Sequence, residues 1–267
     1  MRPAFFDFDD LQPGQSALVI AHPGHELRIH HWLERHRPRV YVLTDSAGEF
    51  GGSRLSSTTQ LLEKVRATVG SIYGRFPDRA IYEMMIRKES PAFVALAEEL
   101  AIDLISHRIR FVLGDALEGY DPTNDLCRLL IDTAVHLASQ STNLPIANFD
   151  FLLHGSPDEC PPELKHQAIW QALDGAAFNR KMRAAQNYNE MEFDIDAMLD
   201  KFGPDAFCVE CLRPSRGFIP FSSTPFYERQ GAHQVAAGHY STVIRYREHF
   251  LPIVEAMQRR VERKIVA

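Results

Sequence analysis

The run Ala17-Leu-Val-Ile-Ala-His22-Pro-Gly-His25-Glu26 carries an uninterrupted apolar strand straight into two imidazoles and a carboxylate. Leu18, Val19 and Ile20 show no polar alternation, which suits a strand buried on both faces, as in the interior of a parallel sheet. Pro23-Gly24 then breaks the strand and lets His22 and His25 turn toward one crevice. Parallel neighbours of such a strand are reached only by crossovers, so the rest of the chain is constrained to alternate strands with helices.

The chain obeys that constraint. Arg39-Val-Tyr-Val-Leu-Thr44 forms a second strand ending in Asp45, and Arg110 to Asp115 forms a third inner strand followed by a turn at Glu118-Gly-Tyr-Asp-Pro. Ile146 to Leu153 suits one more strand. Helical spacing is expected over 26–36, 61–72, 93–106 and 125–137, the last capped by Thr123 or Asn124. After a Pro/Cys-rich turn at 156–162, helical patterning runs over 163–201, and a closing helix is expected over 241–264. The predicted fold is Rossmann-like α/β, a mostly parallel sheet with helices on both faces. Residues 1–155 form its core, and 156–267 a helical C-terminal region packed on the same domain.

Composition excludes several partners. With 267 residues, 45% of them hydrophobic, the chain has ample core, and a net charge of -6 offers no basic surface for nucleic acid or anionic lipid. No apolar run is long enough to span a bilayer, and the stretch Met1 to Asp10 turns acidic where a signal peptide needs an apolar centre. A cytoplasmic protein acting on a small molecule is expected, with homo-oligomer formation left open. Four cysteines are too few for a disulfide scaffold, and Cys208-Val-Glu-Cys211 lacks the second pair a structural zinc site needs.

The chemistry gathers at the strand ends. There His22, His25, Asp45, Asp115 and the turn from Asp121 to Asp125 can converge from distant parts of the sequence. Two neutral imidazoles three residues apart suit a divalent metal, zinc above all; a third ligand and a water of pKa about 7 would complete a hydrolytic centre. A packed core imidazole and a helix-opening histidine are the plain alternative for the same two residues. Glu26, Asp45, Asp121 and Asp125 are the carboxylates available for proton transfer. The first strand-helix turn has only Gly24 and lacks the glycine-rich phosphate cradle of a nicotinamide enzyme.

Three motifs together resemble the LmbE-like, or N-acetylglucosaminyl-phosphatidylinositol de-N-acetylase-like, zinc hydrolases. They are Ala21-His22-Pro23-Gly24-His25-Glu26, then Leu43-Thr44-Asp45 with Gly48, Gly51 and Gly52, and Asp121-Pro122-Thr123-Asn124. The resemblance covers roughly the first half of the chain. It implies a Rossmann-like fold, a divalent metal, zinc, and removal of the N-acyl group from an amino sugar or related small conjugate.

The resemblance also implies where this chain departs. Gly24 stands where the family has its general base, His25 where it has a carboxylate ligand, Asp121 where a histidine assists the leaving group, and Asn124 where the third ligand belongs. The implied metal set is therefore His22 and His25 with Asn124, or with Asp121 or Asp125 as the carboxylate. The implied catalytic carboxylates are Glu26, Asp45 and Asp121. Asp45 also suits a supporting role, orienting His22 through its second ring nitrogen, and Glu26 suits a helix-start carboxylate. Gly24 and Asn124 favour the opposing reading, a catalytically degenerate relative that binds a ligand or a partner protein.

Overall fold

The computed structural model describes residues 11–46, 52–238 and 241–263. The acidic N-terminal run from Met1 to Asp10, the loop glycines Gly48 and Gly51, and Lys264 at the end of the expected closing helix lie outside the described residues.

In chain order the strands are β1 (Ser16–Ile20), β2 (Arg39–Thr44), β3 (Thr68–Phe76), β4 (Phe111–Asp115), β5 (Ala147–Phe151), β6 (Ile169–Ala172) and β7 (Val209–Pro214). Between and after them run α1 (His30–His36), α2 (Leu55–Val65), α3 (Asp78–Ile86), α4 (Ser90–Ser106), α5 (Pro122–Thr142), α6 (Gly175–Gln186), α7 (Glu192–Phe202), α8 (Phe226–Ala236) and α9 (Leu251–Glu262). The sheet order is β3-β2-β1-β4-β5-β7-β6. The first five strands in that order are parallel, and β7 joins β5 antiparallel, as does β6 to β7. This is the mostly parallel α/β architecture expected.

The continuous apolar character of β1 has its cause in two cores. Ala17, Val19 and Ala21 face a cluster with Leu100 and Leu104 of α4, Leu130 and Ile131 of α5, and Phe250 and Ile253 at the C-terminal end. Leu18 and Ile20 face Trp32 and Leu33 of α1 and Leu61 and Leu62 of α2. Successive side chains of a strand point to opposite faces, so a strand covered on both sides keeps no polar position. Each such Leu or Ile removed from water contributes roughly 1.5–3 kcal/mol. The chain runs outward from β1 through β2 to β3, then returns to β4 on the other side of β1. Strand order therefore reverses between β1 and β4, and a crevice opens at their carboxyl ends.

Several boundaries differ from the sequence-based expectation. The helix expected over 61–72 ends at Val65, where Arg66 adopts a left-handed conformation at φ 60°, and Thr68–Phe76 pairs with β2 as an edge strand. Helix α5 is capped by Asp121, whose carboxylate accepts from the backbone N–H of Thr123 and Asn124, so neither of those residues is itself the cap. The helical stretch expected over 163–201 is interrupted by β6, and the region after 155 adds two strands as well as helices. The closing helix, expected from 241, opens with a π-helical turn at Tyr246–Phe250 and continues as α9 from Leu251, with a proline in its first turn. The aromatic run around Phe218 to Tyr227 packs into the core through Phe218, Phe221 and Tyr227. Among the described residues, no helix is long and apolar enough to cross a membrane.

Candidate active site

His22 and His25 flank the turn that leaves β1, and their ring centroids lie 5.3 Å apart with the planes at 79°. Each imidazole is braced through Nδ1. The Thr44 hydroxyl at the end of β2 lies 2.8 Å from His22 Nδ1, and Asp78 Oδ1 at the start of α3 lies 3.1 Å from the same nitrogen. Asp115, at the end of β4 and fully buried, sets Oδ2 3.0 Å from His25 Nδ1 and accepts the Ala21 N–H at 2.7 Å. Bracing one ring nitrogen fixes the tautomer and leaves Nε2 for a ligand. His22 Nε2 stands 3.9 Å from Asp121 Oδ1.

The electrostatics follow from this clustering. Burial disfavours a charged His22, but Asp121 and Asp78 overcome it and raise its pKa well above the ordinary value. The same pairing holds both aspartates low against their own burial. Asp121 keeps 32% of its side chain exposed, and its second oxygen takes a hydrogen bond from the Tyr82 hydroxyl at 3.2 Å. It is an ionised carboxylate at the mouth of the crevice. Beside it, Tyr120 stacks on His154 at 3.7 Å and on Phe226 at 4.3 Å. That stack gives His154 a place at the rim.

Other expected site residues have different contacts. Glu26 is fully buried and folds back to accept the Gly24 N–H at 2.7 Å; burial raises its pKa against the local hydrogen bonds. It braces the turn from below and has no exposed face. Asp45 is held by its backbone to Phe76 and Arg54, and the nitrogen of His22 it was expected to orient is faced by Thr44 and Asp78. Asn124 is nearly buried, with an Oδ1 that has no hydrogen-bond partner.

Asp125, expected among the ligands, accepts the backbone N–H of Glu118 and of Gly119 at 3.1 Å each. Its contacts are those of a turn anchor. Burial raises its carboxyl to about 8, more than those two hydrogen bonds lower it. Because the folded value exceeds the ordinary 3.8, Asp125 stays protonated in the fold while the unfolded chain ionises, and stability falls progressively as pH rises from about 4 to about 8. Asp125→Asn keeps an acceptor for both N–H groups and removes the titration. The variant is expected to be more stable than the parent at pH 8 by roughly 5 kcal/mol, with the gain fading toward pH 4. Urea unfolding at both pH values checks this, and a pH-independent difference would refute it.

Gly24 is the one site position where glycine is required. Its φ of 101° suits glycine, and a Cβ there would fall on the Met191 sulfur, which packs over the turn. No aspartate fits at position 24 while Met191 stays in place. Among the described residues, no three His, Cys, Asp or Glu side chains stand close enough together to enclose an ion. His22 approaches His25 ring to ring at 5.3 Å and Asp121 at 3.9 Å. Cys211 is buried beside Cys160, away from this centre, and all four cysteines are free.

Comparison with known proteins bears on the fold. The A40926 pseudoaglycone deacetylase superposes with a TM-score of 0.52 at 18% identity, over 78% of this chain and 100% of its own. A deacetylase of the teicoplanin biosynthesis pathway gives 0.50 at 13%, over 74% and 97%. The conserved protein TT1542 from Thermus thermophilus gives 0.51 at 17%, over 78% and 96%. This chain shares their fold. The sequence matches no protein-family model and no curated relative. The likeness of architecture extends across three quarters of the chain.

Sequence reasoning missed Asp78 and Met191. Asp78 opens α3 just after β3, a strand whose apolar residues recur at helical spacing, so its place near a strand end is hidden in the sequence. Met191 reaches Gly24 from far along the chain, and no local pattern announces it.

Proposed function

We propose that this chain is a divergent member of the LmbE-like hydrolases that cleaves an amide bond with a divalent metal, zinc. Its substrate would be an N-acylated amino sugar or related small conjugate. One observation carries the reading: both imidazoles are braced from behind, His22 by Thr44 and Asp78 and His25 by Asp115, as metal-ligating histidines are. The deacetylase activities named for two proteins of the same fold support the reaction class.

His22 and His25 would hold the metal through Nε2, with Asp121 or Asn124 as the oxygen donor. Bound there, the metal would lower the pKa of a water and polarise the acyl oxygen. With Asn124 as the oxygen donor, Asp121 is the group this reading assigns to proton transfer, because it has an open face and stands 3.9 Å from His22 Nε2. Tyr82 steadies its second oxygen. Glu26 and Asp125 are assigned to holding the loops.

A second reading has its own observation. Met191 fills the space a general base would use at position 24, which favours a relative that binds a ligand without turnover. Metal analysis of the purified protein by mass spectrometry, beside acetate release from N-acetylglucosamine conjugates, separates the two. Near-stoichiometric zinc that is lost in His22→Ala/His25→Ala, together with acetate release, is expected. Zinc without acetate release selects the non-catalytic relative; protein that takes up no zinc overturns the metal centre itself.

A further inference from the structure

We propose that the cleft between α1, α2 and α6 binds a small phosphate-bearing molecule. This cleft, of about 210 Å³, is lined by Lys64, Arg180 and Arg183, with His30 and Tyr188 also on its walls. Glu34 is the sole carboxylate of the lining, and Arg180 already engages it at 2.9 and 3.1 Å. Among the described residues, Lys64 and Arg183 have no ion-pair partner. On a chain of net charge -6, two uncompensated cations at one cavity are a local reversal of sign.

A second feature points the same way. The His30 side chain is 4% exposed, with its Nδ1 3.9 Å from Glu34 Oε2, and that nitrogen has no hydrogen-bond partner. A buried nitrogen without a partner costs free energy unless something else satisfies it. A guanidinium fork and an ammonium group together suit the oxygens of a phosphate, while Gln60 and Asn187 on the same walls suit hydroxyl groups. The volume is below that of drug-sized pockets, about 300–1,000 Å³, which limits the ligand to a phosphate with a sugar-sized body. None of the residues that line the cleft belongs to the His22 and His25 crevice, so the two are separate sites. The inference does not depend on the hydrolase reading.

Isothermal titration calorimetry of the full chain with inorganic phosphate, then with a hexose phosphate, tests this against chloride at matched ionic strength. Saturable binding is expected, tighter for the hexose phosphate. Lys64→Ala and Arg183→Ala should each weaken it about tenfold, the usual scale for one charged hydrogen bond. Both residues are exposed, so unchanged circular dichroism of the variants is expected too. No saturable heat beyond that of chloride, or undiminished binding in the Lys64→Ala/Arg183→Ala double variant, would overturn the proposal.

Discussion

Glu210→Ala is expected to lower the unfolding free energy by about 3–5 kcal/mol, the cost of removing one partner from a buried ion pair. Glu210 lies in β7 at 1% exposure and meets three partners. Its two oxygens accept the backbone N–H of His31 and of Trp32 at 2.9 Å each, which are free donors at the start of α1. The preceding Ile29 supplies no side-chain cap. One Glu210 oxygen also meets Lys181 Nζ at 2.9 Å, while that ammonium donates to the Arg28 carbonyl at 2.7 Å.

The alanine therefore strands two N–H groups and an ammonium together. Burial already lowers the Lys181 pKa, with Glu210 opposing it, so loss of the carboxylate would drive Lys181 to the neutral form. Lys181→Met added to Glu210→Ala should recover part of the loss, because it removes the uncompensated charge. Guanidinium unfolding of the two variants decides the matter. A single-variant loss under about 1 kcal/mol would mean that water reaches Glu210, contrary to its burial.

The same residue shows where the sequence stops being legible. β1, β2 and β4 announce themselves through apolar runs because each lies inside the sheet, buried on both faces. Glu210 sits inside a short antiparallel strand between two cysteines, and nothing local distinguishes it from a surface carboxylate. Its partners are Lys181 on α6 and the α1 backbone, far away in sequence. β3 is hidden in the sequence for a related reason. Leu61, Leu62, Val65, Val69 and Ile72 recur at helical spacing, yet the edge strand from Thr68 carries β-branched and aromatic residues and pairs irregularly with β2 between Val40 and Thr44.

At the site, the motif histidines were legible because Pro23-Gly24 stops a strand abruptly. What supports them was only partly so. Asp115 ends a recognisable strand and was expected in the crevice, whereas Asp78 follows the strand that was missed. The departure at Gly24 was visible as a lost carboxylate. That Met191 stands over it depends on packing alone.

Asp115→Ala is expected to weaken zinc affinity about 10–100-fold, the scale for losing the group behind a metal-bound histidine, and to cost the metal-free protein about 1–3 kcal/mol for the donor it strands. The two effects have separate causes in one side chain. Oδ2 orients His25 and also satisfies the Ala21 N–H, which lies in a fully buried segment. Asp115→Asn distinguishes them. Its amide oxygen can still accept from either donor, so stability should largely return, but an uncharged amide supports an imidazole ligand less well than a carboxylate does. Zinc titration by competition with a chelator, alongside thermal unfolding of the metal-free forms, reads both. If the asparagine variant binds zinc as the parent does, Asp115 serves the fold alone, and the bracing of His25 loses its force as support for a metal centre. If the alanine variant keeps its stability but loses zinc, the Ala21 amide has found another acceptor while the imidazole has not, and the orientation of His25 is then the property that Asp115 secures.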